Sequence, residues 1–395
     1  MNHAFILDAA RCAIGSLGGS LSSMPPQQLA APLISRCLER NGIEPSDVNE
    51  VVLGCVLQAG HGQNIARQAA VAAGIPFERV AMTVNMVCGS GLMSVINAAR
   101  MIALSEADLI VAGGTESMSQ ASYVLSKARF GYRMGNGELV DSMIRDGLSD
   151  AFGGYPMGKT AENLASRYAI GREQQDSFAA ESQAKAERAI KAGRFKDEIV
   201  PLKIAQRKGE FLDFTQDEAP RFGTTIQALE KLRPAFQEGG TVTAGNSSGI
   251  SDGAAIVLVA SEWFVMQKKL RPMAKIASYG CSGAPPEIMG IAPVGAVRQA
   301  LQATGWSIAD LQLIEANEAF AAQALAVEHE LGWNPSLVNV NGGAIALGHP
   351  IGASGARILA TLLYELRKRQ AARGLATLCV GGGMGVALCV EMEKS

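Results

Sequence analysis

Three side chains in this sequence stand where chemistry is easily arranged: Cys88, His349 and Cys379. Each lies in or beside a glycine-rich turn, and glycine lets backbone or ligand come close. Cys88 occupies Asn85-Met-Val-Cys-Gly-Ser-Gly-Leu, after a strand pattern and before a helix pattern. A thiol there meets the positive end of the helix dipole, so its pKa is expected to fall and its thiolate fraction to rise. His349 lies in Gly342-Gly-Ala-Ile-Ala-Leu-Gly-His-Pro-Ile-Gly-Ala-Ser-Gly, again just before a helix pattern. Cys379 ends an apolar run and faces Gly381-Gly-Gly-Met-Gly. These types suit nucleophilic and acid–base chemistry.

The remaining candidates fall away by context. His3 is terminal, His61 fits a turn, and His329 lies between two glutamates near a helix end. Cys12, Cys37, Cys55 and Cys281 read as inert core residues, as does Cys389 in its apolar run. Seven scattered cysteines without a Cys-x-x-Cys pair argue against a disulfide framework or a structural zinc. No His-Glu-x-x-His occurs, so no metal is expected. The Gly381 run lacks the Lys-Ser/Thr of a phosphate loop and leads into a strand, while Gly113-Gly114 lacks the three-glycine dinucleotide spacing.

The elements that must position these residues read as an α/β protein. Strands are expected at Ala4–Asp8, Val51–Cys55, Leu109–Ala112, Ala255–Val259, Met273–Tyr279, Leu313–Ala316 and Leu375–Val380. Helices are expected at Gln27–Arg40, Ser94–Leu104, Glu173–Ala192, Phe320–Leu331 and Ala353–Lys368. A weak internal repeat orders them. Asp47-Val-Asn-Glu-Val-Val-Leu-Gly is echoed by Asp310-Leu-Gln-Leu-Ile-Glu-Ala-Asn, the Cys88 turn by the His349 turn, and Leu109-Ile-Val-Ala-Gly-Gly by Leu378-Cys-Val-Gly-Gly-Gly. Two similar halves would set corresponding loops side by side around one site. The stretch from about 119 to 246 breaks the repeat and carries Arg129, Arg133, Lys208, Arg221 and Arg233. It reads as an insertion on the first half, its charge serving a solvated surface or an anionic ligand.

Composition narrows the function classes. The chain has 395 residues, 48% hydrophobic and 18% charged, which excludes a disordered chain. A net charge of −2 gives no general attraction to nucleic acid or membranes. No apolar run approaches the ~20 residues that span a bilayer. The first residues lack a secretory pattern and the last, Met-Glu-Lys-Ser, lack a peroxisomal or lipidation signal, so a cytoplasmic protein is expected.

Four motifs together resemble those of the thiolase family: Val-Cys88-Gly-Ser-Gly, Asn317-Glu-Ala-Phe, Gly348-His-Pro-Ile-Gly-Ala-Ser-Gly and Cys379-Val-Gly-Gly-Gly-Met-Gly. The resemblance spans about residues 4 to 392 and is strongest to bacterial biosynthetic thiolases, that is, acetyl-CoA C-acetyltransferases. It implies a duplicated five-layer α-β-α-β-α sandwich, with an N-terminal half at 1–265 containing a loop subdomain at about 119–246, and a C-terminal half at 271–393. It implies a ping-pong condensation of two acetyl-CoA to acetoacetyl-CoA plus CoA. By motif position, Cys88 would be the nucleophile and His349 its base. Asn317 would hold an oxyanion-hole water, Cys379 would act on the α-carbon, and the N–H groups of Cys88 and Gly381 would form a second oxyanion hole. Arg221 and Ser248 would contact coenzyme A, with Leu148, Met157 and Phe320 lining the pantetheine tunnel. No metal or organic cofactor is implied. The Lys127–Gly135 stretch matches the loop that joins dimers in tetrameric relatives, which implies a homotetramer.

Pro156 departs from the His usual in acetyl-specific relatives and implies acceptance of somewhat longer acyl chains. A degradative 3-ketoacyl-CoA thiolase is thus one alternative. A ketoacyl-synthase-like condensing enzyme is another, though such enzymes do not use a second Cys. A non-catalytic acyl-CoA carrier would be expected to have lost Cys88 or His349.

Overall fold

A computed structural model describes residues 2–205 and 209–393; Lys208 falls outside this range. Nine long strands carry the architecture: β1 (Ala4–Arg11), β2 (Glu50–Gly54), β3 (Val80–Val84), β4 (Leu109–Ser117), β5 (Ser251–Ser261), β6 (Ala274–Gly283), β7 (Leu313–Ala316), β8 (Arg373–Val380) and β9 (Met384–Met392). Their hydrogen-bonded order is β7-β8-β9-β6-β1-β5-β4-β2-β3. The order is a mirror. Going outward from the middle, β6-β9-β8-β7 on one side matches β1-β5-β4-β2 on the other. The pairing types match too: β1/β5 and β6/β9 are antiparallel, as are β5/β4 and β9/β8, while β4/β2 and β8/β7 are parallel. Among the described residues β1 and β6 pair at Phe5↔Lys275 and Ile6↔Ala274, and this short pairing joins the two halves into one sheet. The internal repeat is therefore a structural duplication.

Strand residues alternate between two faces, and each face finds its own helices. Val51, Leu53, Val111, Ile256 and Leu258 pack outward on α1 (Pro26–Arg40) and α2 (Ile65–Ala72). Val52, Ile110, Ala112 and Val257 point the other way, to α3 (Ser90–Ala103). Five long helices follow before the second half's sheet is complete: α4 (Met157–Arg167), α5 (Arg172–Lys191), α6 (Pro293–Thr304), α7 (Ala321–Leu331) and α8 (Ser354–Arg369). Leu375, Ala387 and Cys389 face α6 and α7, while Ala376, Leu378, Val386 and Leu388 face α8. Helices α3 and α8 thus form the middle layer of five.

At that middle layer two glycines set the spacing. A Cβ on Gly355 would lie 2.4 Å from the Leu92 nitrogen, and one on Gly91 would lie 2.9 Å from the Ala356 nitrogen. The N-terminal turns of α3 and α8 can therefore touch backbone to backbone.

The segment between β4 and β5 leaves and re-enters the first half, yet its helices lie on the second. Ala186 and Ala189 of α5 pack with Ala346 and Leu347, and Leu164 of α4 with Ala326 of α7. A buried ion cluster pins it to the sheet: Arg11 donates to Glu198 at 2.6 Å and grips Asp217 with two nitrogens at 2.6 and 2.9 Å. No described helix is long and apolar enough to cross a membrane.

Cutting one partner from this cluster strands two buried carboxylates. Arg11→Met should cost about 3–5 kcal/mol. The readouts are a lowered urea midpoint and faster proteolysis within 119–246.

Candidate active site

Cys88 sits in a tight turn between β3 and α3. The preceding Val87 has φ 44°, the left-handed region a β-branched residue seldom adopts. Side chains hold it there: Asn85 Oδ1 accepts from the Val87 N–H, and the Ser90 hydroxyl donates to the Val87 carbonyl while accepting from the Met86 N–H. The turn turns Cys88 toward the other half, where it is half-buried.

The resting thiol is not the low-pKa group expected from the helix dipole. Burial pushes it up to about 11, against the Gly381 N–H, which faces the sulfur and lowers it; the buried Glu116 carboxyl adds a smaller upward push. A helix dipole contributes about 0.3–1 kcal/mol, less than one pKa unit, so desolvation wins. A thiol raised this far is protonated at neutral pH, and a neighbouring base would be needed to make it a thiolate.

His349 comes from the matching turn before α8. Burial lowers it to about 3, so the imidazole is neutral. Its Nδ1 lies 2.6 Å from the Ser354 oxygen, and that hydroxyl donates to the Pro350 carbonyl at 2.9 Å. With the serine proton spent, Nδ1 must carry the ring proton and donate to the serine. Nε2 is then the basic nitrogen, in accord with the Asn317 amide 3.5 Å away from it. Ser354 lies within the quoted glycine motif but was not singled out from sequence; its spacing, one helical turn and a residue after His349, is the available signal.

Asn317 follows β7, held by its N–H to the Thr377 carbonyl. Its Oδ1 is buried and has no protein partner. Cys379, at the end of β8, is buried; desolvation and the nearby Cys88 push its thiol well above the ordinary range. Cys88 thus faces Gly381 and Cys379, His349 faces Asn317, and Ile351, two residues past His349, packs in the apolar cluster that touches Cys88. At rest all three titratable members are neutral. Cys281, expected in the core, is only half-buried, because it lies near the end of β6.

The remaining predicted residues sort around this centre. Leu148 joins the apolar cluster that touches Cys88, along with Ile250 and Ile351. Met157 and Phe320 lie with Cys379 in another, where Phe236 meets Phe320 edge-on. Arg221 lines a groove that continues past Ala244, Ser247 and Gly249 to Ile250, which bridges to the His349 backbone. Ser248 is not among the residues lining that groove. Its neighbours Ser247 and Gly249 are, since an extended backbone alternates its side chains and Ser248 hydrogen-bonds through its N–H to Ala319. Pro156 is exposed at the N-cap of α4 and lines neither the groove nor the apolar clusters. Among the described residues no group of three or more His, Cys, Asp or Glu side chains is placed to hold a metal ion.

Residues 4–263 match the N-terminal domain of thiolase, and residues 270–392 match its C-terminal domain. The chain is 58% identical to an acetyl-CoA acetyltransferase of Pseudomonas aeruginosa, over 100% of both chains. It is 57% identical to one of Chromobacterium violaceum, over 98% of each. The crystal structure of the Bacillus anthracis acetyl-CoA acetyltransferase superposes with a TM-score of 0.97 at 44% identity, covering 100% of this chain and 99% of that one. Human mitochondrial 3-ketoacyl-CoA thiolase superposes with a TM-score of 0.96 at 42% identity, with the same coverage. Matched end to end by both domains and by full-length relatives at more than half identity, the chain belongs to the thiolase family.

Proposed function

We propose that the chain is an acetyl-CoA C-acetyltransferase that condenses two acetyl-CoA into acetoacetyl-CoA and CoA, reversibly. The observation that supports this reading is a pair of neighbouring thiols on one side and, on the other, a neutral imidazole beside an amide whose oxygen has no protein partner, with Ile250 and Ile351 next to both. The acetyl-CoA acetyltransferase relatives, full length and above half identity, supply the substrate.

The residues suffice for a balanced cycle. His349 Nε2 takes the Cys88 proton, and the thiolate attacks the acetyl thioester. A soft thiol suits this step because it is also a good leaving group. Cys379, whose raised pKa keeps it protonated, gives its proton to the departing CoA thiolate. It then takes the α-proton of the second acetyl-CoA, while the His349 imidazolium and a water held by Asn317 stabilise the enolate oxygen. The enolate carbon attacks acetyl-Cys88, the oxyanion lying at the N–H groups of Cys88 and Gly381. Each such donor contributes about 3 kcal/mol. Cys88 leaves as thiolate and regains its proton from His349. Neither half-reaction calls for a metal or organic cofactor.

Coenzyme A would lie in the groove with its phosphates near Arg221, Ser248 on its flank, and the pantetheine arm passing Leu148, Met157 and Phe320. We assign the protein to the cytoplasm. We also propose a homotetramer, a dimer of dimers, joined through the protruding 127–135 loop. There Phe130 and Met134 are 93% and 96% exposed, a cost that covering by a second copy removes.

Three outcomes test this reading. Cys88→Ala should form no labelled acetyl-enzyme from acetyl-CoA, whereas Cys379→Ser should be labelled yet lose α-proton exchange and condensation. Retained label in the first, or normal condensation by the second, reverses the roles. Ser354→Ala frees the imidazole proton to move to Nε2 and should slow acetylation by about 10- to 100-fold with the melting temperature little changed. Sedimentation at micromolar protein should show four chains; a species of two chains only would remove the tetramer.

A further inference from the structure

Of the buried carboxyls that the cycle leaves unused, one lies close enough to Cys88 to influence it. Glu116, on β4, is fully buried between the two halves. Its Oε2 accepts from the Gly352 N–H at 2.8 Å and the Val56 N–H at 3.0 Å. Its Oε1 accepts from the Leu57 N–H at 3.1 Å and the Cys55 thiol at 3.6 Å. Three backbone N–H groups and a thiol donate to it and favour the carboxylate, against burial, which raises its pKa to about 7.

The donors come from opposite sides of the site. Val56 and Leu57 belong to the loop after β2, packed in the apolar cluster that touches Cys88. Gly352 belongs to the turn that begins at His349 and leads through Ser354 into α8. Its other side is closed by glycine: Cβ atoms on Gly54, Gly91 or Gly114 would stand 2.7, 3.0 and 2.1 Å from the Gly352 carbonyl oxygen. The carboxylate holds the amide side of Gly352 and the glycines admit its carbonyl side.

We propose that Glu116 is a positioning residue for the condensation, fixing the His349–Ser354 turn against the Cys88 turn so that Nε2 reaches the thiol. It touches neither substrate nor a reacting atom. The inference rests on His349 being the base for Cys88, and it deepens that reading by naming what sets the distance between them. A displacement of 1 Å at a reacting pair can cost about 10²-fold. Glu116→Gln keeps the shape but sets an NH2 against at least one backbone N–H, either Leu57 with the Cys55 thiol or the Gly352 and Val56 pair.

The test is carbamidomethylation of Cys88 by iodoacetamide, followed by peptide mass spectrometry, in the full-length protein. Glu116→Gln, His349→Ala and the double variant are compared with wild type. Expected are a loss of about 10²-fold in Glu116→Gln, a loss at least as large in His349→Ala, and a double variant no slower than His349→Ala. In steady state, Glu116→Gln should lower kcat while KM for acetyl-CoA stays within about twofold, as fits a step that acts after binding. Gly352→Ala is the second variant, since its Cβ would stand 2.6 Å from the Glu116 carboxylate, and it should reproduce the pattern. A wild-type rate in Glu116→Gln, or losses that multiply in the double variant, overturns the proposal and leaves the base assignment standing. A wild-type rate in His349→Ala overturns the base assignment itself.

Discussion

The contact between Gly91 and Gly355 is the constraint on which the rest of the molecule depends. Two helices can bring their N-terminal turns together only if no side chain stands between them, and here each glycine faces backbone of the other helix. The turns that precede those helices carry Cys88 and His349. The mirrored sheet order follows the same logic, because α3 and α8 are equivalent helices in the two halves and meet at the axis that relates them. Both helices aim their positive ends at the candidate site, where the proposed cycle places a thiolate, an enolate and tetrahedral oxyanions in turn.

Burial then decides the resting state. Cys88, Cys379 and His349 each lose more from desolvation than neighbouring dipoles return, so each rests neutral. In the proposed cycle these three gain charge only as the reaction proceeds, among oriented N–H groups. The buried Glu116 carboxyl lies beside them. A separate buried cluster, Arg11 with Glu198 and Asp217, ties the long insertion to the sheet.

Much of this was legible in the residues, and the failures are instructive. Strand positions were clear from short aliphatic runs, and β7 begins and ends where the pattern placed it. The duplication was visible in three pairs of segments in the same order, two of strands and one of turns. Helices α2, α4 and α6 were missed, since Ala-rich and mixed stretches such as Ile65–Ala72 and Met157–Arg167 show little periodic contrast. At the site, residue type and glycine context led to Cys88, His349 and Cys379. The direction of the Cys88 shift was misjudged because a helix end is visible in sequence and burial is not. Ser354 and Glu116 escaped for a related reason. A serine in a helix's first turn and a glutamate in a strand are ordinary by type, and their meaning lies in partners 5 and 236 residues away.

The pairing of β1 sets a schedule for synthesis. Its partners are residues 255–261 and 274–275, so about 250 residues must be made before the first strand finds its neighbours. At about 5–20 residues per second, Phe5, Ile6 and Leu7 wait on the order of 10–50 s without a cover. An apolar strand exposed for that long invites association with other nascent chains. Asp8 and Arg11 interrupt it. Later, Arg40 and Arg11's own carboxylate partners neutralise them in the finished core, so the same two charges guard the young chain and brace the mature one.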